Sequence, residues 1–291
     1  MRRAATFVSI LVLLACAAPA ALAQAAAATP AATPAAGPAK TFGADAAAKL
    51  RQALGKQDGC IEVMNLATDE IVRTDAARCA VRQSPCSTFK IYNALVGLDA
   101  GVIENEGTTY RWDGVRRPIE SWNRDLTLAE AIRVSSVWWF QRMAREIGPE
   151  RMKAALGREP YGDDDISGGI DRFWLESSLH ISPDEQVAFI AKLYRGKTAF
   201  KPSSVAVVKK IIVQPDVAVG ELAGKTGGSF SGKTGSGPSA GKPALGWFVG
   251  HLASPKGEFV FAVEIEGAEA KGPVARGVAI DALRALGLLP R

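Results

Sequence analysis

The chain has 291 residues, 47% of them hydrophobic and 22% charged, with a net charge of +5. That length is enough to bury a sizeable core, and so mild a basic excess excludes the electrostatic footprint of a nucleic-acid binder. The two histidines, His180 and His251, lie far apart and the four cysteines form no Cys/His cluster, so no metal site is expected.

The N-terminus carries a processing signal. Met1-Arg2-Arg3 precedes a run from Phe7 to Ala18 that is apolar apart from Ser9. Such a charged start and short apolar stretch read as a secretory leader, too short to span a bilayer. Ala21-Leu22-Ala23 forms a cleavage site, which makes residues 1–23 the signal peptide. The imperfect lipobox Leu13-Leu14-Ala15-Cys16 offers lipid anchoring through Cys16 as the alternative. On either reading the folded part is expected outside the cytoplasm, periplasmic or secreted. Loss of Arg2 and Arg3 with the leader takes the net charge from +5 to +3. Residues 24–42 are Ala, Pro, Thr and Gly almost throughout and read as a disordered linker. Residues 43–291 then form one compact unit, with no further spanning segment and no feature that argues for a particular subunit interface.

Within that unit, Ile61 to Leu66 and Ile71 to Thr74 are strand-like runs joined by the turn Ala67-Thr68-Asp69-Glu70. A hairpin there brings Cys60 and Cys79 together, and an oxidising compartment permits their disulfide. Cys86 is left over and reads as a small buried residue ahead of a helix. That helix begins near Thr88, because Ile91, Ala94, Leu95 and Leu98 recur on one side. Ser87 then stands at its N-terminus, within reach of Lys90 three residues on. Thr127-Leu128-Ala129-Glu130 and Ser182-Pro183-Asp184-Glu185 have capping-box form.

Three strands are expected towards the end, at Glu221 to Ser229, Leu245 to Leu252 and Phe259 to Glu266. In the last, Phe259, Phe261, Val263 and Ile265 share one face. Val274 to Leu286 closes the chain as an amphipathic helix stopped by Gly287. Strands at both ends with helices between them predict an α+β fold, an antiparallel β-sheet covered by helices, with a mostly helical insertion.

A Ser-x-x-Lys match is common by itself, but two further boxes accompany Ser87-Thr88-Phe89-Lys90. Ser135-Ser136-Val137 lies 48 residues downstream, and Lys225-Thr226-Gly227 follows near the end. Together they resemble the active-site boxes of the penicillin-recognising serine enzymes. Ser-x-Val in place of Ser-Asp-Asn is similar to the class D serine β-lactamases, the oxacillinases. So are Arg124 to Leu128, Asp165 to Asp171, Phe173-Trp174-Leu175-Glu176 and Gly246 to Gly250, and the likeness runs over residues 58–291.

This resemblance implies the penicillin-recognising fold and hydrolysis of the β-lactam ring of penicillins through an acyl-serine on Ser87. It implies carbon dioxide held as a carbamate on Lys90 as general base, with no separate cofactor, and Val137 and Trp174 supporting that group. Ser135 would pass a proton to the leaving nitrogen. Lys225, Thr226 and Arg276 would hold the substrate carboxylate, and the amides of Ser87 and Gly228 would form the oxyanion hole. A penicillin-binding DD-peptidase or a β-lactam sensor domain, either of which stays acylated, is the alternative.

Two features depart from the family pattern. Tyr161-Gly162-Asp163 has a carboxylate where Asn is usual. Lys-Thr-Gly also occurs twice, the second time at Lys233-Thr234-Gly235. The lead-in Glu221 to Gly224, Ser229 two places past the box and the interval from Trp174 favour Lys225. The shorter hairpin from Lys233 to Gly246-Trp247 favours the second copy. Lys225 is the expectation carried forward.

Overall fold

The computed structural model describes residues 41–219, 228–237 and 244–290. The predicted leader and most of the predicted linker lie outside them. The folded unit opens with helix α1 (Ala46–Leu54), the hairpin strands β1 (Asp58–Asn65) and β2 (Ile71–Arg73), and the single turn α2 (Ala76–Cys79). A tight helical turn, Cys86–Phe89, then runs directly into α3 (Lys90–Asp99). The middle is mostly helical. Two short paired strands, β3 (Thr109–Tyr110) and β4 (Leu126–Thr127), precede α4 (Leu128–Arg133), α5 (Val137–Ile147), α6 (Pro149–Arg158), α7 (Pro183–Arg195) and α8 (Pro202–Ile211). The chain returns to the sheet as β5 (Ser229–Ser236), β6 (Leu245–Ser254) and β7 (Gly257–Glu266), and ends in α9 (Gly272–Ala285).

The helix starts follow from their caps. Thr127 and Ser182 each accept a bond from the backbone N–H three residues on, and Glu130 and Glu185 return one to the cap, so both predicted capping boxes form. Among the described residues no helix is long and apolar enough to cross a membrane.

The main sheet has the order β2-β1-β7-β6-β5 and its pairings are antiparallel. Period-two alternation feeds a core on each face. Phe259, Phe261, Val263 and Ile265 pack with α1 and α9, whereas Val260 and Ala262 join Trp247 and Val249 under the helical layer. The α+β architecture and the two-faced strand are therefore as the sequence predicts.

Three boundaries differ. Phe42, assigned to the linker, is buried against Phe259, because an aromatic ring beside an apolar sheet face is driven out of water. Of the strand expected over 221–229, residues 221–227 lie outside the described set, and β5 starts at Ser229. The helix expected to begin near Thr88 starts as α3 at Lys90, with Ser87 in the helical turn that leads into it.

Cys60 and Cys79 are disulfide-bonded, tying α2 to β1 across 19 residues of chain. Closing a loop of that size constrains the unfolded state by about 3 kcal/mol. Beside the bridge lies a buried ionisable cluster. Glu62 of β1 is buried with its Oε2 3.4 Å from Arg73 Nε, and Arg73 Nη2 lies 3.6 Å from Asp184 Oδ1. Burial, and then the Asp184 carboxyl, push the Glu62 pKa up to about 9.

A carboxyl whose folded pKa is raised contributes stability fully below its unfolded value of about 4.5 and loses it as pH rises towards 9. Glu62→Gln keeps the shape and a donor but cannot titrate. Thermal unfolding between about pH 5 and pH 9 should show the variant gaining on the parent, by up to about 1.4 kcal/mol per pH unit. A difference that stays flat with pH would mean that Glu62 is ionised in the fold.

Candidate active site

The site is built where the turn Cys86–Phe89 meets β5 at the edge of the sheet. Pro85 starts the turn, and its carbonyl accepts from both the N–H and the hydroxyl of Thr88, the latter at 2.7 Å. The Thr88 hydroxyl in turn accepts from Gln186 of α7 at 2.9 Å. Upstream, the Trp247 indole donates to the Ser84 carbonyl at 2.9 Å, and the Ser84 hydroxyl bridges Trp174 and Glu176. Cys86 is held at φ +49°, a conformation that costs a non-glycine residue energy and persists only under such clamping. Burial pushes its thiol pKa up to about 12, so it is a packing residue.

This clamp fixes the direction of Ser87. Lys90 Nζ lies 2.6 Å from Ser87 Oγ. The Lys90 side chain is fully buried, and among the described residues no carboxylate pairs with it. Burial first, and the nearby charge of Lys233 second, hold its pKa well below the ordinary lysine range. Phe140 of α5 lies 5.6 Å from the amine, and Val137 opens the same helix. Trp174 stacks on Phe89 at 5.6 Å, and its indole N–H is buried with no partner among the described residues.

Ser135 occupies the link between α4 and α5 at φ +56°. The Trp122 indole pins the preceding carbonyl, Val134, at 2.9 Å, and the Trp138 indole pins Trp122 at 2.8 Å. Facing it, Lys233 Nζ reaches Ser135 Oγ at 3.0 Å and the Thr234 carbonyl at 2.9 Å. Burial lowers the Lys233 pKa to about 7. A Cβ at Gly235 would stand 3.0 Å from the Pro85 carbonyl oxygen and 3.2 Å from Trp247 Cβ. Glycine at the third box position thus lets β5 lie against the nucleophile turn without displacing the Pro85 backbone.

Ser87, Lys90, Ser135 and Lys233 thus share one site. This corrects the choice between the two Lys-Thr-Gly copies. Lys233, on β5, is the box lysine at Ser135, and Lys225 and Thr226 lie outside the described residues. Gly228 is described, but it adjoins Val219 and Ala253 at the other end of β5. At about 3.3 Å per residue it stands roughly 25 Å along the strand from Ser236, the residue that follows the box. Thr234 and Ser236 take the positions expected of Thr226 and Gly228.

Arg276 lies one turn beyond Gly272, whose N–H donates to Ser236 Oγ at 2.9 Å, and pairs with Asp216 at 2.7 Å. Asp163 acts as an acceptor for the His180 N–H at 2.9 Å, and its other oxygen lies 3.2 Å from the His180 ring. A carboxylate therefore serves where an amide is usual. His251 is buried against Tyr194, away from the boxes. Glu62, Cys79 and Asp184 cluster closely, but the Cys79 sulfur is committed to its disulfide. The clamping roles of Trp122, Trp247 and Gln186 escape a motif reading because their bonds go to backbone or hydroxyl groups 12 to 163 residues away.

The family model described as the penicillin binding protein transpeptidase domain matches residues 57–284. The probable beta-lactamase YbxI of Bacillus subtilis is 40% identical over 232 residues, 80% of this chain and 82% of its own. Beta-lactamase OXA-10 of Pseudomonas aeruginosa is 38% identical over 216 residues, covering 74% and 79%. A crystal structure of a class D beta-lactamase from Bacillus subtilis superposes with a TM-score of 0.76 at 38% identity, over 83% of this chain and 97% of that one. The chain belongs to the class D β-lactamases. The regulatory protein BlaR1 of Bacillus licheniformis is also similar, at 36% identity over 210 residues, 72% of this chain but only 33% of BlaR1.

In a class D site of this form the two lysines of the Lys-Thr-Gly copies are separable by mutation. Lys233→Ala removes a charge-bearing donor from Ser135 and should lower kcat/KM about 100-fold or more. Lys225→Ala should stay within about twofold. Steady-state kinetics of the two single variants side by side test this, and the reverse ranking would move the box to the first copy.

Proposed function

We propose that the protein hydrolyses penicillin-type β-lactams outside the cytoplasm, with carbon dioxide held on Lys90 as a carbamate that serves as general base. The observation that carries this reading is the Lys90 environment. An amine that is fully buried without a carboxylate partner is driven to its neutral form, and a neutral amine adds carbon dioxide with loss of one proton. The unpartnered Trp174 indole N–H supplies a donor that such a group requires.

When formed, the carbamate would supply a base for both acylation and deacylation. Ser87 Oγ attacks the ring carbonyl as its proton passes to the Lys90 side. The oxyanion is taken by the N–H groups of Ser87, at the start of its turn, and Ser236, just past the box. The carbon–nitrogen bond breaks, and Ser135 hands the nitrogen a proton drawn from the Lys233 ammonium. Water then attacks the Ser87 ester, and the ring-opened acid leaves. Lys233, Thr234 and Arg276 hold the substrate carboxylate through charge-assisted bonds. Export follows from the leader at residues 1–23.

The likeness to BlaR1 supports a second reading, stable acylation. Intact-mass measurement of the protein with a penicillin and bicarbonate separates the two. A return to unmodified mass with ring-opened product marks the hydrolase, and a persistent adduct marks a sensor or DD-peptidase. Lys90→Ala should retain any adduct it forms. Degassing at mildly acid pH should slow the parent and bicarbonate should restore it, because protonating the Lys90 amine opposes the addition. Turnover indifferent to bicarbonate after that treatment would defeat the carbamate reading.

A further inference from the structure

Arg276 is not idle in the ligand-free fold, and its partner bears on which substrates the site accepts. Gly272, at the start of α9, sits so close to β5 that a Cβ there would stand 2.7 Å from Thr234 Cβ. Arg276 follows four residues later on the same helix face, about 6 Å along the axis. Its guanidinium does not pair with the box. Its Nη2 donates to Asp216 Oδ2 at 2.7 Å, and its Nε is buried with no hydrogen-bond partner among the described residues. Asp216 thus takes one tooth of a fork whose geometry suits two-point binding of a carboxylate.

The position of Asp216 follows from the strand edge. Residues 212–214 run antiparallel beside β5, with Gly232 N–H on the Ile212 carbonyl at 2.9 Å and Gln214 N–H on the Phe230 carbonyl at 2.8 Å. This register carries the chain away from Lys233 before it turns at Pro215. The same segment and the box share a cavity of about 260 Å³, lined by Gln214 and Pro215 on one side and by Lys233 and Thr234 on the other. If Arg276 anchors a substrate carboxylate beside Thr234, one turn of α9 separates that position from its present partner, Asp216.

We propose that Asp216 is an internal counter-ion that engages Arg276 in the free enzyme and competes with the substrate carboxylate for it, setting the affinity for anionic β-lactams. This rests on the reading of Arg276 as a carboxylate anchor. Asp216 is mostly exposed, so the competition is modest in size.

The test uses Ser87→Ala protein, in which the intact antibiotic binds without acylation, with benzylpenicillin and its methyl ester as probes. Adding Asp216→Asn should tighten benzylpenicillin binding about two- to fivefold, the range an exposed ion pair supports, and leave the ester unchanged. In an Arg276→Ala background the same change should have no effect. If Arg276→Ala weakens benzylpenicillin but Asp216→Asn does not tighten it, the competition is overturned and the anchor survives. If Arg276→Ala leaves benzylpenicillin binding unaltered, the anchor fails and the proposal fails with it. Equal tightening of acid and ester would also overturn it, since that would report a general opening of the cavity.

Discussion

A lysine amine buried without a counter-charge, 2.6 Å from a serine hydroxyl, is the constraint to which the rest of the site answers. Taking an ammonium out of water is costly, so burial shifts Lys90 towards its neutral form at the one place where a serine can use a base. That choice dictates the surroundings. Phe89, Phe140 and Trp174 join the apolar cluster that surrounds the amine. The second lysine is tuned differently. Lys233 is also buried, but it has Ser135 and a carbonyl to donate to, and its pKa falls only to about 7. One lysine is thus kept neutral while the other keeps access to its charge.

Holding two such groups in place requires the helical layer and the sheet to be locked together. The lock consists of polar bonds at the nucleophile turn. Trp247 from β6 and Gln186 from α7 fasten the turn from the two sides, and glycine at 235 lets β5 approach until only backbone separates them. Each bond is worth about 1 kcal/mol net. Their combined effect is geometric, because they keep Cys86 in a backbone conformation that it would not adopt unaided, as the Trp122 bond to Val134 does for Ser135.

Local features were legible in the sequence and long-range ones were not. Ser87 and Lys90 are three residues apart, and helical geometry alone brings them together whether the turn is tight or regular. The capping boxes, the hairpin with its disulfide and the alternation in β7 are likewise set by neighbours within a few residues. Phe42 was missed because nothing nearby announces its partner, Phe259, which lies more than 200 residues on. The indole of Trp174 was placed by family likeness, since an unpartnered buried donor leaves no mark in a linear pattern.

The two Lys-Thr-Gly copies show why register resists a local reading. They are eight residues apart, an even number, so moving from one to the other leaves every side chain on the same face of the strand. Both copies also carry glycine just before the lysine, at 224 and 232, and at 232 a Cβ would stand 2.5 Å from the Phe248 ring. Loop length decides little, because doubling a loop costs only about 0.6 kcal/mol. The difference lies three residues before the box. There the second copy has Phe230, which packs on Phe248 and Phe261 at 5.7 and 5.5 Å and is buried in the core against α9. The first copy has Leu222 at the corresponding place. A stacked aromatic contributes about 0.5–1.5 kcal/mol beyond the area it buries, and with that burial added it outweighs the loop term. The strand is therefore set by an aromatic residue outside the motif, and the motif lysine is carried to Ser135 as a consequence.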